Sequence, residues 1–173
     1  MFSEGFLIVP FRIVLLAFFC LILFSPAGHA GSTGSETGLP LPRFVSLASD
    51  KVNVRTGPGT RYPINWVFVR RGWPVEIIEE YDLWREIRDI DGATGWVHKT
   101  LVSNRRTLII TGDARAVYEE PDESSPVVLL AEPGVVGKLK ECDGRWCETE
   151  IAGLSGWLMA NQFYGVYANE KVR

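Results

Sequence analysis

From Phe44 onward apolar residues recur at every second position, and no window keeps them on one helical face for more than a turn or two. Val52-Asn53-Val54, Val67-Phe68-Val69, Val75-Glu76-Ile77-Ile78, Leu83-Trp84-Arg85-Glu86-Ile87 and Gly95-Trp96-Val97 are short and rich in β-branched or aromatic side chains. Turn-forming clusters separate them: Thr56-Gly57-Pro58-Gly59, Arg71-Gly72, Tyr81-Asp82 and Asp91-Gly92. Period-two runs broken by frequent turns predict an all-β unit, and about 60 residues suits a small five-stranded barrel.

The pattern then repeats. Ala114 to Tyr118, Val127 to Ala131, Val135 to Glu141, Arg145 to Ile151 and Gly156 to Met159 form a second set of strands. Trp84 followed by Gly95-Trp96 returns as Trp146 followed by Gly156-Trp157. Val54, Pro58, Pro63 and Ile64 overlay Val117, Pro121, Pro126 and Val127 without a gap, and Arg71-Gly72 meets Pro133-Gly134 after a shift of one residue. A period near 60 residues exceeds most solenoid repeats and indicates two tandem small domains, at 44–103 and 107–167. The joint Ser103-Asn104-Arg105-Arg106 is short, and isolated barrels of this size are marginal, so the two are expected to pack on each other.

Ahead of the barrels the character changes. Ile13 to Phe24 is an unbroken apolar block preceded by Arg12 and followed by Gly28-His29-Ala30. This reads as a signal peptide over 1–30, shorter than the roughly 20 apolar residues of a membrane span, with an uncleaved anchor as the alternative. Contact with a membrane is expected only through this segment, and the mature chain is expected to be exported, to the periplasm or beyond. Residues 31–43, rich in Gly, Ser, Thr and Pro, read as a flexible linker.

Export governs the cysteines. Cys142 and Cys147 flank Asp143-Gly144, a hairpin dipeptide, and outside the cytoplasm such a pair reads as a disulfide. The net charge of −3 contains no run of five like charges, so no clustered basic surface for nucleic acid is present. Beyond the leader there is a single histidine, His98, too few for a histidine metal cage, and no cofactor is expected. Glu79-Glu80 and Glu119-Glu120 are adjacent, so their side chains point to opposite faces of a strand and make poor acid–base pairs. No catalytic residue is assigned.

At Val52-Asn53-Val54-Arg55-Thr56-Gly57-Pro58-Gly59-Thr60, then Tyr62-Pro63, Trp84 and Gly95-Trp96-Val97, the chain resembles the bacterial Src-homology-3-like family. The resemblance extends more loosely over 107–167, where Tyr118-Glu119-Glu120-Pro121-Asp122 replaces the glycine-rich turn. It implies a non-catalytic exported module that binds cell-wall (peptidoglycan) peptide or glycan, or alternatively a protein–protein assembly module in the bacterial envelope.

Read from the residues alone, Gly57 and Gly59 are expected to supply positive-φ freedom around Pro58, and Trp84, Trp96, Trp146 and Trp157 to anchor the cores. The chain holds six tryptophans, more than two small barrels can readily enclose. Arg55, Tyr62, Trp66, Trp73, Tyr81 and, in the second copy, Tyr118 are the candidates for an aromatic rim around an extended peptide. Filling the interface between the barrels is the competing use for such side chains.

Overall fold

Strands form where the alternation predicts them, and in the same order twice. The computed structural model describes residues 32–173, so the expected signal peptide at 1–30 lies outside the described residues. The first half contains β1 (Ser32–Thr33), β2 (Pro40–Leu41), β3 (Arg43–Leu47), β4 (Val52–Arg55), β5 (Ile64–Phe68), β6 (Pro74–Tyr81), β7 (Trp84–Arg88), β8 (Thr94–His98) and β9 (Val102–Ser103). The second contains β10 (Thr107–Ile110), β11 (Arg115–Tyr118), β12 (Val127–Ala131), β13 (Val136–Cys142), β14 (Trp146–Ile151), β15 (Leu154–Met159) and β16 (Phe163–Tyr164).

The first sheet runs β5-β4-β8-β7-β6-β3-β9 and the second β12-β11-β15-β14-β13-β10-β16, which is one topology used twice. Each sheet has seven strands where five were expected. The additional ones, β3 with β9 and β10 with β16, are either two residues long or almost continuously buried, so neither kind shows an alternating signal.

The duplication reaches single hydrogen bonds. Gly72 N donates to Leu47 O at 2.8 Å, and Gly134 N to Ile110 O at 2.9 Å. Both glycines have φ near +80°, a left-handed turn that favours glycine. Each barrel closes on its own apolar core: Val45, Leu47, Val52, Val54, Val75, Ile77, Ile87 and Val97 in the first; Leu108, Ile110, Val117, Leu139, Ile151 and Leu158 in the second. Full burial of one such side chain contributes about 1.5–3 kcal/mol, so these residues dominate the stability of a domain this small.

Two expectations are corrected here. Residues 31–43 were expected to form a flexible linker, but from Ser32 they fold into the β1–β2 hairpin and the start of β3. The cause is one buried carboxylate. Glu80 on β6 accepts from the backbone N–H of Glu36 (3.0 Å) and Thr37 (2.9 Å), from the Thr37 hydroxyl (2.8 Å) and from Arg43 (2.7 Å). A polar composition does not reveal that a distant acid will satisfy the segment's amides.

The second concerns Trp84, Trp96 and Trp157, expected as core anchors. Along β8 the inward positions are Gly95 and Val97, and along β15 they are Gly156 and Leu158. Trp96 and Trp157 therefore stand on the outer face, half-buried, and Trp84 stands outward at the start of β7, next to the inward Arg85. Alternation outweighs the general tendency of indoles to be enclosed. Trp146 is the exception, 7% exposed.

The barrels pack on each other. Phe44 of β3 meets Tyr164 edge-on at 4.9 Å and Tyr167 at 4.6 Å, with the Arg106 guanidinium 5.7 Å from the Phe44 ring centroid. Arg106 also donates to both Glu170 oxygens at 2.7 and 3.0 Å, and Arg70 donates to Gly134 O at 2.9 Å. Burial pushes the phenols of Tyr164 and Tyr167 well above their usual range, and the charge of Glu76 adds to it.

Candidate functional site

Strand register on the first barrel brings two rows of side chains onto one outer face. In one row Tyr81 lies opposite Trp84, which lies opposite His98. In the next, Glu79 lies opposite Glu86, Glu86 opposite Trp96, and Trp96 opposite Arg55 of β4. Tyr81 is 59% exposed and Leu83 beside it 41%, while both indoles are half-buried. Trp84 packs edge-on against His98 with centroids 5.6 Å apart. The result is a shallow aromatic strip on a rigid three-strand support, open to an extended ligand.

The loop between β4 and β5 borders this strip. Arg55 Nη1 donates to Tyr62 O at 2.7 Å and to Thr60 O at 3.2 Å, so its guanidinium holds the loop instead of waiting for a ligand carboxylate. The Tyr62 ring lies on Gly57, where an added Cβ would come within 2.6 Å of Tyr62 Cδ1. Arg61 stacks on the same ring at 5.1 Å. Gly57 and Gly59 are not among the positive-φ glycines, contrary to expectation. Gly57 is required for the close approach of a ring.

The same turn forms in the second barrel without glycine. Thr56 N to Pro63 O (3.1 Å) has its counterpart in Glu119 N to Pro126 O (2.9 Å), and Gly59 N to Gly57 O (2.9 Å) in Asp122 N to Glu120 O (2.7 Å). There the Asp122 carboxylate accepts from the backbone and hydroxyl of Ser124, which replaces the Arg55 clamp and holds the carboxyl below its usual range.

The six rim candidates do not converge. Trp66 and Trp73 pack against the first core, Tyr62 lines the loop, and Arg55 secures it. Tyr81 alone of the first-barrel aromatics on that rim is exposed, and it belongs to the strip. Tyr118 lies opposite Trp157 and meets Trp146 edge-on at 5.9 Å in the second barrel. Trp84, Trp96 and His98 were the strip residues missed, although Trp96 and His98 were legible: they lie two residues apart on β8, with Gly95 and Val97 at the inward positions.

Two further features complete the surface. Cys142 and Cys147 are joined, with S–S 2.09 Å, at facing positions of β13 and β14, so neither sulfur is a free nucleophile. Between the barrels lies a cleft of about 860 Å³ lined by Leu47, Arg71, Arg105, Lys138 and Lys140 among others. Its lysines are already engaged: Lys138 with Glu150 at 2.6 Å and Lys140 with Glu148 at 2.8 Å. Among the described residues no three His, Cys, Asp or Glu side chains gather as a metal site requires.

Two small barrels of this topology, each with an outward Gly-Trp strand and a proline-bearing turn after the first core strand, define a tandem Src-homology-3-like protein. The chain belongs to the family described as Bacterial SH3 domain, whose sequence profile matches residues 48–104 and 112–162. It is 25% identical over 123 residues to the "Putative N-acetylmuramoyl-L-alanine amidase YrvJ" of Bacillus subtilis (strain 168), a match covering 65% of this chain and 24% of that protein. The chain thus spans about a quarter of the length of that curated relative. Among solved structures it is similar to NlpC2 of Trichomonas vaginalis (13% identity, TM-score 0.34, 70% of this chain and 47% of that one). NlpC1 of the same organism gives 14% identity and a TM-score of 0.33, with 71% and 45% covered.

Proposed function

We propose that this protein is an exported, non-catalytic binding module that holds a peptide or glycan of the bacterial cell wall along the outer strip of its first barrel. The observation that carries the reading is the placement of Trp84 and Trp96 outward on facing strands, beside exposed Tyr81 and a loop held rigid by Arg55. These half-buried indoles on the outer face belong to neither core cluster, and a flat aromatic surface suits an extended peptide or a sugar face. Family membership supports the binding role, and the relative's printed name, an amidase of N-acetylmuramoyl-L-alanine, supports the choice of the wall. The disulfide fits an oxidising compartment outside the cytoplasm.

The test is sedimentation of the full chain with purified peptidoglycan sacculi. Wild type is expected in the pellet, and Trp96→Ala is expected in the supernatant. If wild type sediments no better than an unrelated acidic protein, the reading fails. The cleft between the barrels favours a second reading, an assembly module for another envelope protein. Crosslinking in cells to one stoichiometric protein partner, without wall retention, would select it.

A further inference from the structure

Both barrels repeat a feature that folding does not call for. In the first, Glu79 lies directly opposite Glu86 just past a bulge that follows Ile77, and Glu86 lies opposite Trp96. In the second, Glu141 lies opposite Glu148 just past a bulge that follows Leu139, and Glu148 lies opposite Trp157. Like charges directly across a strand pair are destabilising. A cation beside either carboxylate offsets that repulsion.

The second barrel supplies its own. Lys140, the bulge residue, places its Nζ 2.8 Å from Glu148 Oε1 and 2.9 Å from Ser155 Oγ. The first barrel keeps the acceptors and lacks the cation. Its bulge residue is Ile78, and Ser155 has its counterpart in Thr94, each directly before Gly-Trp. Among the described residues neither Glu79 nor Glu86 forms an ion pair. The neighbouring cations are committed elsewhere: Arg55 to loop carbonyls, Arg61 to Tyr62, Arg85 to Glu80 and to carbonyls, Arg88 to Glu76. With no cation beside the pair, burial followed by the Glu79 charge raises Glu86 above the usual carboxylate range.

We propose that Glu79, Glu86 and Thr94, beside the Trp96 indole, form a site for a primary ammonium group carried by a peptide, the position Lys140 fills in the second barrel. The ammonium exchanges its water for charge-assisted hydrogen bonds to the carboxylates, and the indole flanks it. The source of the amine, a wall peptide, rests on the proposed function. The chemistry of the site rests on the paired barrels alone.

The experiment separates the two. The full chain is titrated with a capped Ala-Lys-Ala peptide and with its Nε-acetylated form while the Trp96 indole N–H resonance is followed by NMR. In parallel it is sedimented with sacculi, native or with their free amines acetylated. The free amine is expected to move the Trp96 resonance saturably, and the acetylated peptide to leave it in place. Ile78→Lys, which installs the missing ammonium, and Glu86→Gln, which removes an acceptor with little change of shape, are each expected to weaken the response about tenfold, the loss of one charge-assisted bond. An unmoved Trp96 resonance, or equal responses to both peptides, overturns the ammonium site even when sacculi bind. An amine-specific response without sedimentation leaves the site standing and removes the wall as its source.

Discussion

At the scale of single residues, Glu80 ties the β1–β2 hairpin to the first barrel. Burial alone would raise its carboxyl, but Arg43, the Thr37 hydroxyl and the amides of Thr37 and Glu36 outweigh burial and bring it from 4.5 to about 2. A carboxyl depressed in the folded state stabilises fully above its unfolded value and loses that contribution as pH falls through the folded one. The window here is therefore about pH 4.5 down to about 2, corresponding to about 3 kcal/mol. Urea unfolding at pH 7 and at pH 2.5 is expected to show a loss of stability in wild type that is smaller in Glu80→Gln. At pH 7 that substitution is expected to cost about 3–5 kcal/mol, because Arg43 and Arg85 remain buried without their partner. An unchanged midpoint at pH 7 would show that the hairpin is held by something else.

At the scale of elements, the two barrels solve one problem in two ways. The facing pair Glu80 and Arg85 between β6 and β7 occupies the position of Cys142 and Cys147 between β13 and β14, so an ion pair in one copy stands where a disulfide stands in the other. The disulfide closes a loop with a sequence separation of only 5, so it removes little chain entropy, and Cys142→Ser with Cys147→Ser is expected to cost about 2 kcal/mol. Calorimetry of oxidised and reduced protein measures this; equal midpoints would show that the hairpin needs no covalent closure. Strand identity and the cysteine pair were legible because alternation, turn dipeptides and spacing are local. The direction of Trp96 was equally local, yet apolarity suggested the core until Gly95 and Val97 on either side are seen to fill the inward positions. The loop role of Gly57 was not legible, since it depends on where the Tyr62 ring comes to rest.

At the scale of the whole molecule, two domains that would be marginal alone share an aromatic joint. The short joint and the surplus of aromatics predicted packed barrels, but no pattern along the chain pairs Phe44 with Tyr164 and Tyr167, more than a hundred positions away. The same is true of the hairpin secured by Glu80. Phe44→Ala is expected to cost about 3–5 kcal/mol and to split one cooperative thermal transition into two. A single transition in the variant would show that the barrels do not depend on this joint.

The proposed site gives the two barrels different roles. The second engages Glu148 of its acidic pair with Lys140, and the first has no ion pair on Glu79 or Glu86 beside its outward indoles. Hydrogen–deuterium exchange of the full chain with solubilised wall fragments tests that division most directly. Slowed exchange confined to β7, β8 and the β4–β5 loop is the result the account predicts. Protection centred on β14 and β15, or along the cleft between the barrels, would contradict it.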